Sequence, residues 1–334
     1  MAYKTTLTRI DCSVRRAADP QVETAMLTVI IPVYNEARTV VELLGRVAAA
    51  PYAKQVVVVD DGSTDGTAEI FSAWHCHADF EILCHGTNRG KGAAIRTGLE
   101  RARGRFTIIQ DADLEYDPAD YPLLIEPLLA GRADVVYGSR YMRAAPCIRG
   151  TAVPAAGVGA PALTAGKTPA PCSGVPAVIP GDRSWIAGLQ PAPRADGTPA
   201  PSRPRWTRFR CGVELLNWAV RILFGARLTD EATCYKAFPT DALRKMNLAC
   251  ERFEFCPEVT AKALRMGLRI LEVPIHYDAR TFQAGKKIRW TDGLTAIATL
   301  WKWRSWRPVG QVCRGCGRQV ENLSYVASQP KTVE

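Results

Sequence analysis

Asp111 and Asp113 stand two apart in the stretch Phe106-Thr-Ile-Ile-Gln-Asp111-Ala-Asp113-Leu-Glu115-Tyr-Asp117-Pro118. In extended chain, side chains two apart share a face, so both carboxylates can address one spot. Close like charges are unfavourable unless a cation lies between them. Oxygen-only ligands suit Mg²⁺ or Mn²⁺, which keep open positions for phosphate oxygens. Taken alone, an Asp-x-Asp can equally decorate an exposed strand end. The surrounding pattern decides between these readings.

The elements that must hold these groups follow from hydrophobic periodicity. Phe106 to Ile109 reads as a short buried strand, closed by Asp117-Pro118 as a turn. Leu27 to Pro32, Gln55 to Asp60 and Phe80 to Cys84 read as earlier strands. A helix with apolar Val40, Val41, Leu43, Leu44 and Val47 follows the first, a helix through Trp74 the second, and one opened by Thr87 to Gly92 the third. Strand–helix alternation of this kind predicts an α/β fold with a single, open, Rossmann-like and mainly parallel sheet flanked by helices. Ligands of such sheets bind beyond the carboxyl ends of the strands. Tyr34-Asn35-Glu36, Asp60-Asp61, Asn88 to Gly92 and Asp111 to Glu115 all fall at such ends, and their joint arrangement predicts an active site.

The chain of 334 residues is 47% hydrophobic, globular in composition, with a net charge of +10 that favours anionic partners. Eleven scattered cysteines and an N-terminal stretch without an apolar core predict reduced thiols and a cytoplasmic location. No run approaches the roughly 20 apolar residues of a membrane-spanning helix, so membrane contact is expected to be peripheral. The positive charge does not form an aromatic-interleaved patch, which argues against nucleic acid.

The expected organisation is a loose arm (1–26), a first half of the domain (27–143), a Pro/Ala/Gly-rich flexible insert (144–210), a second half (211–290), an amphipathic C-terminal helix (291–310) and a tail (311–334). The insert holds about half of the chain's 23 prolines and reads as a lid, a membrane contact or a solvated linker. Asp134 to Tyr137, a strand or turn ending at Phe238, and Arg269 to Val273 are expected to extend the sheet, with helices over Val213–Phe224, Asp241–Leu248 and Pro257–Met266. Trp residues beside Lys302 and Arg304 give the last helix an interfacial texture, or a core one if the rings pack inward. Cys313-x-x-Cys316 lacks two ligands for zinc and reads as part of a structureless tail.

Together, Val29-Ile-Ile-Pro-Val-Tyr-Asn-Glu36, Val59-Asp-Asp-Gly-Ser-Thr-Asp65, Asn88-Arg-Gly-Lys-Gly92 and Asp111-Ala-Asp113 resemble family 2 glycosyltransferases of the GT-A fold. The nearest branch is the dolichol- or polyprenol-phosphate mannosyl- and glucosyltransferases. The resemblance is strong over Leu27–Tyr141 and less specific over Cys211–Gly293. It implies a UDP- or GDP-sugar donor, Mg²⁺ or Mn²⁺, inversion at the anomeric carbon and a lipid phosphate acceptor at the membrane surface. By position, Pro32, Tyr34 and Glu36 would line the base and ribose pocket, with Asp61 on the base or ribose and Lys91 near it. Asp111 and Asp113 would hold metal and diphosphate. Glu115, where that branch often has Gln, would join the metal or leave its site over-acidic. Arg140 would meet the acceptor phosphate, Arg280 and Lys287 would form a basic pair near the phosphates, and Asp230-Glu231 would mark the acceptor side. The insert and the missing C-terminal membrane helices of many relatives are departures from the family pattern.

The acceptor sets the remaining chemistry. A lipid phosphate is already anionic and needs alignment rather than a base, which Arg140 and Arg280 would supply. A glycan or other hydroxyl acceptor would need a base, with Asp230 or Glu231 the candidate. A non-catalytic nucleotide-sugar-binding protein is the reading of another class. Intact Asp111 and Asp113 count against it.

Overall fold

The computed structural model describes residues 26–73, 80–142, 208–280 and 290–308. The N-terminal arm, almost all of the insert, Lys287, and Cys313 and Cys316 lie outside these residues. The first half runs β1 (Leu27–Val33), α1 (Val40–Ala49), β2 (Lys54–Asp60), α2 (Thr67–Ala73), β3 (Phe80–Cys84), α3 (Lys91–Arg101), β4 (Phe106–Ile109), α4 (Tyr121–Leu129) and β5 (Val135–Ser139). The second runs α5 (Arg208–Phe224), β6 (Lys236–Pro239), α6 (Thr240–Lys245), α7 (Phe255–Arg265), β7 (Ile270–Pro274) and α8 (Trp290–Trp303). These strands form one seven-stranded sheet in the order β3-β2-β1-β4-β6-β5-β7.

β1 shows why the strands are apolar throughout. Val29, Ile31 and Val33 pack on one face with Leu43 and Leu44 of α1 and Leu124 of α4. Ile30 points the other way, against Ile95 of α3, in a core shared with α5, α7 and α8. A sheet covered on both faces gives continuous apolar runs rather than alternation. Each such side chain contributes about 1.5–3 kcal/mol by leaving water. In α1 the expected stripe is buried at Val40, Leu43, Leu44 and Val47, while Val41 is exposed.

The mainly parallel sheet is as expected, and two details of the fold were not announced by the sequence. The sheet is parallel except for β6, which runs antiparallel between β4 and β5. A strand of four residues carries too little periodicity to announce its direction. Helix α4 is the second. Its Pro122 and Pro127 disguise it, yet Pro in the first turn costs no hydrogen bond.

Helix α8 divides its tryptophans between the two expected roles. Lys262 Nζ lies 3.8 Å from the Trp303 ring centroid, and Trp306, just beyond the helix, is buried. Trp301 is 56% exposed, with the Arg304 guanidinium over its ring. Helix α5, packed beside α8, likewise exposes Leu215, Trp218 and Ile222 along one stripe. No helix among the described residues is long and apolar enough to cross a membrane.

Candidate active site

β4 stops at Ile109, so Asp111 and Asp113 sit on a turn rather than on the extended strand end that their spacing suggested. Leu114 between Asp113 and Glu115 takes φ 62°, a conformation that disfavours branched side chains. The turn is held from beneath by Gln110. Its Nε2 donates to the Asp111 carbonyl at 3.1 Å, and its Oε1 accepts from the Tyr121 and Tyr235 hydroxyls at 3.1 and 3.0 Å. Thr39, at the start of α1, donates to the Ala112 carbonyl at 2.9 Å.

The two aspartates are electrostatically coupled. Burial, then Asp111, then Glu115 push the Asp113 carboxyl up to about 7. Asp111 is ion-paired to Lys91 Nζ, which also contacts Cys234 Sγ at 3.0 Å. Burial opposes the charge on Lys91, but Asp111 and the neighbouring thiols hold it well above the ordinary lysine value. The donor set, two carboxylates whose repulsion the Lys91 ammonium and the Arg280 guanidinium offset in part, fits a hard divalent cation. No three His, Cys, Asp or Glu side chains among the described residues form a metal cage. An ion here would rely on two carboxylates plus phosphate or water oxygens, as Mg²⁺ usually does.

The loops at the ends of β1 and β2 form a single stitched platform. Asn35, at φ 52°, accepts from Thr64 N at 2.8 Å, and its own amide donates to Ser63 Oγ at 2.9 Å. Glu36 N donates to Thr67 Oγ1 at 3.1 Å. Pro32 lies in β1 opposite Val59, and Tyr34 directly follows the strand. Asp61 is buried beneath the third loop. It accepts from Arg89 N at 2.9 Å and Gly90 N at 2.7 Å, and lies 2.6 Å from His85 Nδ1. In this conformation both Asp61 oxygens are used to hold the loop that delivers Lys91.

That loop depends on glycine. Gly90 has φ +95°, and a Cβ there would lie 2.3 Å from the Glu251 carbonyl oxygen. Gly90→Ala is expected to cost about 1–3 kcal/mol through backbone strain, and to weaken nucleotide-dependent thermal stabilisation, both read by differential scanning fluorimetry.

The segment after β7 crosses the Asp111–Glu115 turn. Tyr277 bridges antiparallel to Tyr116, and Asp278 N donates to the Glu115 carbonyl at 2.9 Å. The Glu115 carboxylate accepts from Tyr277 Oη at 2.6 Å and Arg280 N at 2.8 Å, so it clasps this segment. Arg280 Nε donates to the Asp113 carbonyl at 2.7 Å, and its guanidinium pairs with Glu36, reaching 2.9 Å. Residues expected at the two ends of the pocket, Glu36 and Arg280, are thus in contact.

On the other flank, Arg140 and Asp230 form a bidentate pair, with Nε–Oδ2 and Nη2–Oδ1 both 2.7 Å, and Arg140 N donates to the same carboxylate at 3.0 Å. Burial opposes the Arg140 charge, and Asp230 restores it, holding the group well above its usual range. The guanidinium lies 5.0 Å from the Tyr277 ring centroid. Glu272 on β7 fixes this arrangement from behind, accepting from Thr229 N at 2.8 Å and Asp230 N at 2.9 Å. Burial raises the Glu272 carboxyl to about 7.

Glu231 differs from its neighbour. It is wholly buried, and neither carboxylate oxygen has a hydrogen-bond partner. Burial raises its carboxyl to about 7, against the pull of Lys236. The folded-state value lies above that of an unfolded glutamate, so its ionisation costs nothing below about pH 4.5. Stability is then lost as pH rises from there through about 7. Glu231→Gln is expected to match the parent at pH 4 and exceed it by about 1–3 kcal/mol at pH 8, measured by urea unfolding at both pH values.

Asp111, Asp113, Glu115, Lys91, Glu36 and Arg280 are brought together, and Arg140 with Asp230 forms the adjoining flank. Thr39, Gln110, Tyr277 and Glu272 escaped the sequence reading. For Tyr277 the signal was present in the Pro274-Ile-His-Tyr-Asp-Ala-Arg280 cluster at the end of a strand. Glu272 was visible only as an acid interrupting an apolar strand.

The family described as Glycosyl transferase family 2 matches residues 28–149. The dodecaprenyl-phosphate galacturonate synthase of Rhizobium johnstonii is 34% identical over 136 residues, 39% of this chain and 40% of that protein. The undecaprenyl-phosphate 4-deoxy-4-formamido-L-arabinose transferase of Pseudomonas aeruginosa is 40% identical over 124 residues, 35% and 36% of the two chains. The chain thus spans well under half the length of these curated relatives. The crystal structure of glucosyl-3-phosphoglycerate synthase from Mycobacterium tuberculosis, in complex with Mn²⁺, UDP and phosphoglyceric acid, superposes with a TM-score of 0.50. It is 16% identical and covers 86% of this chain and 82% of that one, which shows a shared GT-A fold. The stretch that matches the Glycosyl transferase family 2 model holds β1 to β5 and the Asp111–Asp113 turn.

Proposed function

We propose that this chain is an inverting glycosyltransferase that moves a hexose from a UDP- or GDP-sugar to a polyprenyl phosphate at the membrane surface. The carrying observation is the coupled Asp111–Asp113 pair at the sheet's carboxyl edge, with Lys91 and Arg280 converging on the same turn. Asp111 and Asp113 would hold Mg²⁺ or Mn²⁺, which supplies Lewis-acid neutralisation of the departing diphosphate. Pro32, Tyr34, Glu36 and Asp61 belong to the loops that would frame the nucleoside. Lys91 adds a positive charge beside Asp111 and is released toward phosphate oxygens once that carboxylate has another partner.

Arg140 and Arg280, with Lys287, would align the acceptor phosphate for attack from the face opposite the leaving group. Both are planar, permanently charged donors suited to phosphate. Their carboxylate partners, Asp230 and Glu36, keep them oriented. The state of the two candidate bases supports a phosphate acceptor over a hydroxyl. Asp230 has both oxygens engaged by Arg140, and Glu231 is sealed from solvent. A phosphate nucleophile at neutral pH needs neither. The names of the curated relatives, which act on dodecaprenyl and undecaprenyl phosphates, support the same acceptor class.

Peripheral attachment from the cytoplasmic side is part of this reading. It is supported by Trp218, Ile222 and Trp301 on the exposed faces of α5 and α8, by the net charge of +10 and by basic Arg221, Lys302 and Arg304 on the same helices and just beyond. Trp rings with basic residues suit an anionic interface.

The test is incubation with radiolabelled UDP- and GDP-sugars, Mn²⁺ and polyprenyl phosphate, followed by solvent partition. Label is expected in the organic phase. Label confined to a water-soluble product would transfer the assignment to a hydroxyl acceptor, and transfer to no acceptor at all would favour a binding protein.

A further inference from the structure

Two thiols lie directly behind the Asp111 ion pair. Cys234, half-buried, and Cys256, buried at the start of α7, approach to 4.0 Å between sulfurs. Lys91 Nζ bridges from Cys234 Sγ, at 3.0 Å, to Asp111. Cys256 donates to the Thr233 carbonyl at 3.3 Å, so its sulfur is oriented toward the backbone just before Cys234. Contact with Cys234, then Lys236 and Lys91, favours the Cys256 thiolate, whereas contact with Cys256 and burial keep the Cys234 thiol protonated, and a second thiol within reach is the arrangement of a resolving pair.

We propose that Cys234 and Cys256 are an oxidation site, closed to a disulfide by hydroperoxides, that disables the metal- and donor-binding turn through Lys91. The Cys256 thiolate attacks peroxide. An S–O bond forms, the O–O bond breaks, and the leaving hydroxide takes a proton to become water. Cys234, giving up its proton, then attacks the sulfenic sulfur. The S–S bond forms, the S–O bond breaks, and the second hydroxide leaves as water. Two thiols lose two electrons in total, and one hydrogen peroxide is reduced to two waters. The reduced pair is restored by thiol exchange.

Closure replaces the thiol partner of Lys91 with a disulfide sulfur, a poor acceptor. It also draws residue 234 toward α7, away from the position in which its amide donates to Tyr116 Oη at 3.3 Å. Tyr116 belongs to the same turn as Asp113. Oxidation therefore disturbs both the charge beside Asp111 and the support of the turn. The effect on turnover rests on the glycosyltransferase reading, whereas the effect on cross-linking and on metal binding does not.

The full chain is treated with graded hydrogen peroxide, alkylated, digested and mapped by mass spectrometry. Turnover and Mn²⁺-dependent melting shift are measured on the same samples. The expected result is a Cys234–Cys256 cross-link, two hydrogens lighter than the reduced peptides. Turnover should fall about fivefold or more, as for a lost hydrogen bond to a charged group, the Mn²⁺ shift should shrink, and dithiothreitol should reverse both. Cys256→Ser and Cys256→Ala should keep the reduced-state activity, form no such cross-link and lose the dithiothreitol-reversible component of inactivation. Two variants are used so that a packing defect in one does not decide the outcome. Absence of the cross-link, or a cross-linked protein with unchanged Mn²⁺ shift, overturns the proposal. A chain that transfers no sugar but still cross-links and loses its Mn²⁺ shift would instead overturn the reading of its activity.

Discussion

Asp113→Ala is expected to lower glycosyl transfer by about 10³-fold, the scale of removing one preorganised electrostatic contact to a developing charge. The loss should appear in kcat with every donor, because the group acts on the diphosphate common to all of them. It should be accompanied by loss of the Mn²⁺-dependent melting shift. Stability provides the control. Burial, Asp111 and Glu115 all disfavour the ionised Asp113 carboxyl, so its removal relieves repulsion in the metal-free protein. The variant's melting temperature at pH 8 without metal is expected to equal or exceed the parent's. A variant that melts early would mean that the side chain serves the fold, and retained turnover would remove it from the chemistry.

Arg140→Ala is expected to destabilise the chain by about 3–5 kcal/mol, because it strands a buried carboxylate. Asp230 is fully buried, and its two oxygens are held by the Arg140 side chain and amide. The companion experiment separates stability from function. Arg140→Met combined with Asp230→Leu replaces the pair with apolar groups of similar size and should recover most of the loss. It should not recover use of the phosphate acceptor, because the planar donor is gone. Urea unfolding reads the first effect, and acceptor-dependent transfer reads the second. A double variant that is both stable and fully active would remove Arg140 from acceptor binding. Glu272 belongs to the same unit, since it positions the Thr229–Asp230 backbone that receives the guanidinium.

The sequence by itself determined the order β1-α1-β2-α2-β3-α3-β4 and the four polar clusters at the strand ends. Apolar runs and 3.6-residue stripes are local signals, and a parallel α/β sheet places consecutive strand ends along one edge. Gly90 and the Asp60–Thr67 turn were legible for the same reason, since cap and turn chemistry acts within a few residues. What only the tertiary structure decided is long-range. Arg280 reaches Glu36 across 244 residues. β6 enters the sheet antiparallel after a long insertion, and Glu115 holds Tyr277 and Arg280 N. Asp230 is committed to Arg140 while Glu231 beside it is buried unpaired, and Cys234 meets Cys256 behind Lys91. Periodicity specifies which face a side chain takes on its own element. Which distant charge or thiol it meets follows from how the elements close on one another, and that closure sets burial and hence the chemistry of each carboxylate.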